Sequence, residues 1–258
     1  MNIEDLRGLR GLLADMDGVW FVENQPVPGA ADALARLRER GLPLRLITNT
    51  TTRTRAQLAE KMQRMGFVVA ADEIVHAPAV AGRLLRERGV RAVKLVVADE
   101  IRGEFAGLTE SDRPQVIVIG DIGERWNYRL MNELFRLVID GAEIVALHRG
   151  RYWQVADGLA MDIGAFVAGL EYATGKTATV VGKPSPEMFR VALADLGLPA
   201  GDVCMIGDDI HHDVAGAQAA GIRGVLVKTG KYREALISAS GVVPDLTVES
   251  IAVLATAL

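Results

Sequence analysis

The chain is short of the residues that would mark several function classes. It has one cysteine, Cys204, in 258 residues, which excludes an internal disulfide and fits a reducing compartment. The setting of that cysteine, "DVCMIGDD", is apolar and reads as an inert buried thiol rather than a nucleophile. Four histidines and one cysteine are too few for a zinc cluster. Basic residues do not dominate: 29 Lys and Arg stand against 33 Asp and Glu, a net charge of −4, so no nucleic-acid footprint is present. No apolar run approaches the length of a membrane span, and the opening "MNIEDLRGLRG" lacks the apolar core of a signal peptide. A soluble, cytoplasmic protein with neither nucleic-acid nor membrane partners is the expectation. What is abundant is apolar material, half of all residues, enough for one large domain or two of ordinary size.

Strand and helix patterns alternate along the chain. "GLLAD", "LPLRLIT" (Leu42 to Thr48), "AVKLVVAD", "QVIVIGD", "AEIVALH", "TATVVGK", "DVCMIGDD" and "IRGVLVKTG" read as short strands. Between them lie helical patterns. Leu34 and Leu37 share a face before a stop at Gly41. Leu130, Leu134 and Val138 share a face behind an Asn127 N-cap, and Ser185-Pro186 reads as a cap with proline at the first helical position. Such alternation predicts an α/β fold with a doubly wound parallel sheet.

In such a sheet the C-terminal strand ends share one rim, where ligands bind. Polar residues cluster at these ends: Asp15 and Asp17, Thr48-Asn49, Lys183, and Asp208-Asp209 with Asp213 just beyond. The interval between Thr48 and Lys183 is far longer than a crossover needs and holds about three strands of its own. The spacing predicts an inserted α/β domain over 77–177, with 1–76 plus 178–258 forming the core.

So many carboxylates around one lysine need compensation. Mg²⁺ supplies it, because this cation prefers oxygen ligands from one or two carboxylates together with substrate phosphate. Thr48 and Lys183 then read as clamps on a phosphate, one through its O–H and one as a point charge. The pattern points to metal-assisted phosphoryl transfer on a small phosphorylated substrate.

In "DMDGV", the threonine of "LITNTTT", the lysine of "VGKPSP" and "GDDIHHD", taken in that order, the chain resembles the haloacid dehalogenase superfamily of aspartyl-phosphate-forming hydrolases. The long insertion resembles that superfamily's NagD-like cap. "VVGKPSPEMF", "MIGDDIHHDVAGAQAAG", "KTGKYR" and "GRYW" resemble one phosphatase branch within it more closely still. The resemblance implies that Asp15 is the nucleophile and a metal ligand. It implies that Asp17 moves the proton while its backbone carbonyl binds Mg²⁺, and that Thr48 and Lys183 hold the phosphoryl oxygens. Asp208 becomes the third metal ligand, with Asp209 and Asp213 behind it and Asn49 beside the phosphate or leaving group. Caps of this kind often mediate dimers in the resembling family, which leaves a homodimer through the cap open.

In the insertion, "LHRGRYWQV" brings His148, Arg149, Arg151, Tyr152 and Trp153 to a strand end, a mixture suited to an anionic leaving group. The alternative is that both arginines are solvated. Asp121 and Asp162 read as structural, and His211-His212 as a solvated turn. "TGKT" at Thr174 to Thr177 is not a P-loop, because Leu170 stands where that motif needs glycine. Trp20 stands where a smaller aliphatic residue is expected, either packing against the cap or narrowing access to the site. A phosphotransferase using the same intermediate is the first alternative to a phosphatase. A non-catalytic phosphate binder is the second, and the Asp15/Asp17 pair argues against it because a binder needs no proton shuttle.

Overall fold

A computed structural model describes residues 8–155 and 158–257. The chain divides into two compact units. The first runs up to Thr48 and adds Arg55–Val75 and the chain from Lys183 onward; the second comprises Asn49–Thr54 and His76–Gly182.

The first unit is built on a six-stranded sheet. Its order is Leu246–Val248, Arg223–Val227, Val203–Gly207, Gly11–Asp15, Leu44–Thr48, Ile74–His76. Counting its strands along the chain, this is 3-2-1-4-5-6 read from the other edge, the order of a doubly wound dinucleotide-binding sheet. The four pairings from Leu44–Thr48 across to Leu246–Val248 are parallel. Alternate residues Leu12 and Ala14, Leu44 and Leu46, Cys204 and Ile206, Val225 and Val227 join one apolar core with Leu34 and Leu37 of the helix Ala30–Glu39. Leu13, Ile47 and Met205, on the opposite face, are also buried. Burial on both faces is why these strands read as continuous apolar runs instead of alternating ones.

Strand order reverses between Gly11–Asp15 and Val203–Gly207, the switch point where ligands bind in such sheets. Registers Ala14↔Ile206 and Asp15↔Ile47 bring Asp15, Thr48 and Asp208 to the same rim.

The second unit holds a five-stranded parallel sheet in the order Thr179–Val180, Glu143–Ala146, Val116–Ile119, Ala92–Val96, Thr109–Glu110. A separate antiparallel hairpin joins Tyr152–Val155 to Gly158–Met161. Helices Tyr128–Ile139 and Gly164–Thr174 bury Leu134, Val138, Val167 and Leu170 in its core, and Trp126 stacks on Phe166 with ring centroids 4.3 Å apart.

Caps fall where the sequence places them. Asn127 accepts from the Leu130 N–H at 3.0 Å, and Ser185 accepts from the Glu187 N–H at 3.4 Å ahead of Pro186–Leu196. Gly175, with φ +67°, terminates Gly164–Thr174, so "TGKT" is a helix stop.

Three expectations need correction. The strand before Lys183 does not belong to the core sheet: Thr179 and Val180 pair with Val145 and Ala146, and the Val181 and Gly182 N–H groups donate to Ala146 and Leu147 carbonyls at 3.1 and 2.9 Å. An apolar run marks a strand but not which sheet it joins, because pairing is non-local. The insertion also carries Thr109–Glu110 and the hairpin, beyond the three strands expected. Trp20 packs inside its own unit, fully buried, with its ring edge-on to Phe67 at 6.1 Å.

Candidate active site

Asp15 ends its strand almost fully buried. Its Oδ1 accepts from the Met16 N–H at 2.8 Å and from Lys183 Nζ at 2.7 Å. The strand stops there. Gly18 adopts φ +84°, a conformation that L side chains rarely take, and its N–H donates to the Phe21 carbonyl at 2.7 Å. Period-two alternation therefore ends at Asp15. Asp15 is buried, and Asp17, carried on the turn, is exposed. Protein around Asp17 strips enough water from its carboxyl to hold it above its ordinary value. Lys61, Lys231 and Lys183 pull it partly back.

Lys183 enters from the loop just before Ser185. Its Nζ donates to Asp213 Oδ1 at 2.7 Å as well as to Asp15. Burial alone would lower its pKa, but Asp15 and Asp213 outweigh burial and raise it, so the ammonium stays charged. Thr48, at the end of the neighbouring strand, is buried.

Asp208 follows directly on Val203–Gly207. Its Oδ2 accepts from the Lys231 N–H at 2.7 Å, while its Oδ1 is buried with no hydrogen-bond partner. A Cβ on either Gly18 or Gly230 would overlap this carboxylate. Burial first, and then the charges of Asp15 and Asp213, push the Asp208 carboxyl well up.

The segment Ile210–Ala215 winds as a π-helix, an uncommon geometry that turns Asp213 back towards Lys183. Both Asp213 oxygens are engaged: Oδ1 with Lys183, and Oδ2 with the Asp209 N–H at 3.0 Å. A Cβ on Gly207 would collide with the Asp213 side chain, so glycine admits the close approach. Asp209 caps the segment, accepting from the His211 and His212 N–H groups and meeting His212 Nδ1 at 2.9 Å. Burial pushes its carboxyl up, but the bonds and charge of His212 hold it well below the usual range. His211 is exposed. The Cys204 thiol, pushed up to about 12 by burial, is inert.

Oxygens of Asp15, Asp208 and Asp213 lie within 4.8 Å of one another, a set that could hold a metal ion. Asp15 and Thr48 end strands of the core sheet, Asp208, Asp209 and Asp213 follow Val203–Gly207, and Lys183 arrives on its loop; together they line one rim of the first unit. Asn49 belongs to the second unit, with its amide oxygen close beside Gly182.

The remaining predicted residues also lie in the second unit. His148 Nδ1 accepts from the Gly150 N–H at 3.1 Å and lies 3.7 Å from Asp162. Arg149 pairs with Glu171, whose other oxygen accepts from the Ala178 N–H. Arg151 and Tyr152 are exposed; the Trp153 side chain lies outside the described part of the structure. Asp121 caps the Gly123 N–H at 2.8 Å.

The family model of the haloacid dehalogenase-like hydrolases matches residues 12–109, and a HAD-hydrolase-like model matches 180–254. Haloacid dehalogenase-like hydrolase domain-containing protein 2 from Bos taurus is 43% identical over 244 residues, 95% of this chain and 93% of the relative. The chain belongs to the haloacid dehalogenase-like hydrolases. Another relative of the family, phospholysine phosphohistidine inorganic pyrophosphate phosphatase from Xenopus laevis, is 40% identical over 233 residues, 88% of this chain and 86% of that one. Among solved structures, p-nitrophenyl phosphatase from Archaeoglobus fulgidus matches with a TM-score of 0.90 at 32% identity, covering 97% of this chain and 99% of the other. NagD from E. coli K-12 matches with a TM-score of 0.88 at 27% identity, covering 95% and 97%. Both solved structures share the fold along nearly the whole chain, insertion included.

No helix among the described residues is long and apolar enough to cross a membrane. Sequence reasoning missed Thr229, Gly230 and Lys231 as parts of the site; the only signal was the likeness of "KTGKYR".

Proposed function

We propose that this hydrolase is a Mg²⁺-dependent phosphatase that cleaves a small phosphomonoester, pyrophosphate or phosphoamide through a phosphorylated Asp15. The observation that carries this reading is the sharing of one buried ammonium, Lys183, between Asp15 and Asp213. That arrangement sets a positive charge against the Asp15 carboxylate and fixes its position, while Asp213 holds the lysine in place. The names of phosphatase relatives support the substrate class.

The residues fit a hard cation. Asp208 Oδ1 is a buried acceptor with no donor, a costly state that a cation relieves. Asp213 has no oxygen left over. The Asp15 and Asp208 carboxylates and the Asp17 carbonyl would hold Mg²⁺, which when bound supplies positive charge against the phosphoryl oxygens.

Asp15 attacks phosphorus with a carboxylate oxygen, and the bond from phosphorus to the leaving group breaks as Asp17 gives its proton to the departing oxygen or nitrogen. The raised Asp17 carboxyl suits a group that must begin protonated. Asp17 then takes a proton from the water that attacks the acyl phosphate, and Asp15 returns with phosphate released. Lys183 and Thr48 hold phosphoryl oxygens through both halves. Asp209 braces the segment that carries Asp213. Asn49, His148 and Arg151 are the further candidates for substrate binding, whereas Arg149 is taken up by Glu171.

A panel of phosphorylated compounds assayed for phosphate release, with Mg²⁺ and with chelator, tests the reading. Mg²⁺-dependent release of free phosphate is expected. Release unaffected by chelator, or transfer to a second hydroxyl in place of release, contradicts it.

A further inference from the structure

The "KTGKYR" stretch lies outside the roles assigned so far, yet it touches the site at three successive residues. It follows the strand Arg223–Val227, whose neighbour Val203–Gly207 leads directly into Asp208. The Thr229 hydroxyl donates to the Gly18 carbonyl. The Lys231 N–H donates to Asp208 Oδ2 at 2.7 Å. Between them Gly230, at φ +59°, leaves open the space that the Asp208 carboxylate and Gly18 occupy. A turn closed by the Tyr232 N–H on the Thr229 carbonyl at 3.2 Å holds the stretch in shape.

The Gly18 contact has a specific consequence. The Asp17 carbonyl and the Gly18 N–H belong to one planar, trans peptide unit, so they point in opposite directions. The Gly18 N–H is fixed on the Phe21 carbonyl, and that bond sets the direction of the Asp17 carbonyl. Thr229 holds the other polar atom of Gly18, preventing the turn from rotating about its left-handed glycine.

We propose that Thr229 and Gly230 are positioning residues that assemble the metal site by fastening the 17–18 turn and the Asp208 carboxylate to one loop. The proposal rests on the metal reading above. Thr229 touches neither metal nor substrate; it acts through Gly18. Gly230 is required because any side chain there would wedge Asp208 away from the turn.

The test is a Mg²⁺ titration without substrate, read as the rise in melting temperature of the full-length protein. Thr229→Val keeps the shape and loses the donor. It should need about tenfold more Mg²⁺ to reach the same rise, the scale of one lost hydrogen bond. Its metal-free melting temperature should stay near wild type, and at saturating Mg²⁺ its substrate KM should be unchanged. Thr229→Ser, which restores the hydroxyl, should titrate like wild type. Thr229→Ala also lacks the donor and replaces the valine variant if that one does not fold. Gly230→Ala should weaken Mg²⁺ at least as much as Thr229→Val. Wild-type Mg²⁺ affinity in both Thr229→Val and Thr229→Ala overturns the assignment, as does equal weakening in Thr229→Ser. If wild type responds to Mg²⁺ and the variants match it, only the loop assignment falls. If wild type shows no response, the metal reading falls with it.

Discussion

Lys183 Nζ donates to Asp213 Oδ1 at 2.7 Å where almost no solvent reaches either side chain. The second Asp213 oxygen accepts from the Asp209 N–H, so this carboxylate accepts a donor on each oxygen. An asparagine at 213 cannot do this: one of its two positions becomes an NH₂ that faces a donor.

Asp213→Asn should therefore destabilise the protein by about 2–4 kcal/mol, because it leaves a buried donor unsatisfied and removes half of the compensation for a buried ammonium. Urea unfolding of the metal-free protein measures it. A loss below about 1 kcal/mol would show that Lys183 does not depend on Asp213.

Asp17→Asn should separate substrates by leaving group. The amide spares the backbone carbonyl and cannot carry the proton. Loss of kcat should be much larger with an alkyl phosphate than with p-nitrophenyl phosphate, whose leaving group needs little protonation. Equal losses on both would remove Asp17 from proton transfer.

The metal-free protein should lose stability as pH rises from about 4 towards neutrality. Asp208 is raised, by burial first and then by Asp15 and Asp213. The folded state therefore keeps a proton that the unfolded chain has already released, and stability falls as that proton is lost. Asp209 shifts the other way; its contribution is complete above the ordinary carboxylate range and adds no slope there. Asp208→Asn should flatten the slope, raise the metal-free melting temperature at neutral pH and abolish the Mg²⁺-induced rise. Thermal melts over that range, with and without Mg²⁺, check all three. An unchanged Mg²⁺ response in Asp208→Asn would remove it from the ligand set.

Arg149→Ala should act on the fold of its own unit. Arg149 pairs with Glu171, which also holds the Ala178 N–H. Its removal should lower kcat/KM by a similar factor for pyrophosphate and p-nitrophenyl phosphate. Arg151→Ala should lower it for the anionic leaving group by about tenfold or more while sparing p-nitrophenyl phosphate. Selective loss in Arg149→Ala would reverse these assignments.

Much of this architecture is legible in the chain because strand ends announce themselves. An apolar run that stops on Asp15, Thr48 or Asp208 marks both a buried strand and the rim where it ends. Parallel alternation then requires those ends to meet. Non-local pairing hides the rest. Nothing in "TATVVGK" says that Thr179–Val180 joins the sheet of the inserted unit. Nothing in the spacing of "GDDIHHD" says that a π-turn will carry Asp213 back to Lys183. Thr229 was invisible for a related reason: its contact with Gly18 spans most of the chain, and a threonine in a turn has no periodic signal. The turn at Gly18 also ends simple alternation, so burial differs between Asp15 and Asp17, two residues apart.

The most direct test of the account is whether phosphate becomes covalently attached to Asp15. Wild-type protein mixed with radiolabelled substrate and Mg²⁺, then quenched in acid within one turnover, should carry acid-stable, hydroxylamine-labile label. Peptide mass spectrometry should place it on Asp15, and Asp15→Asn should carry none and lose turnover. Turnover of wild type with no label at Asp15, or an Asp15→Asn variant retaining more than about one hundredth of wild-type kcat, would contradict the account.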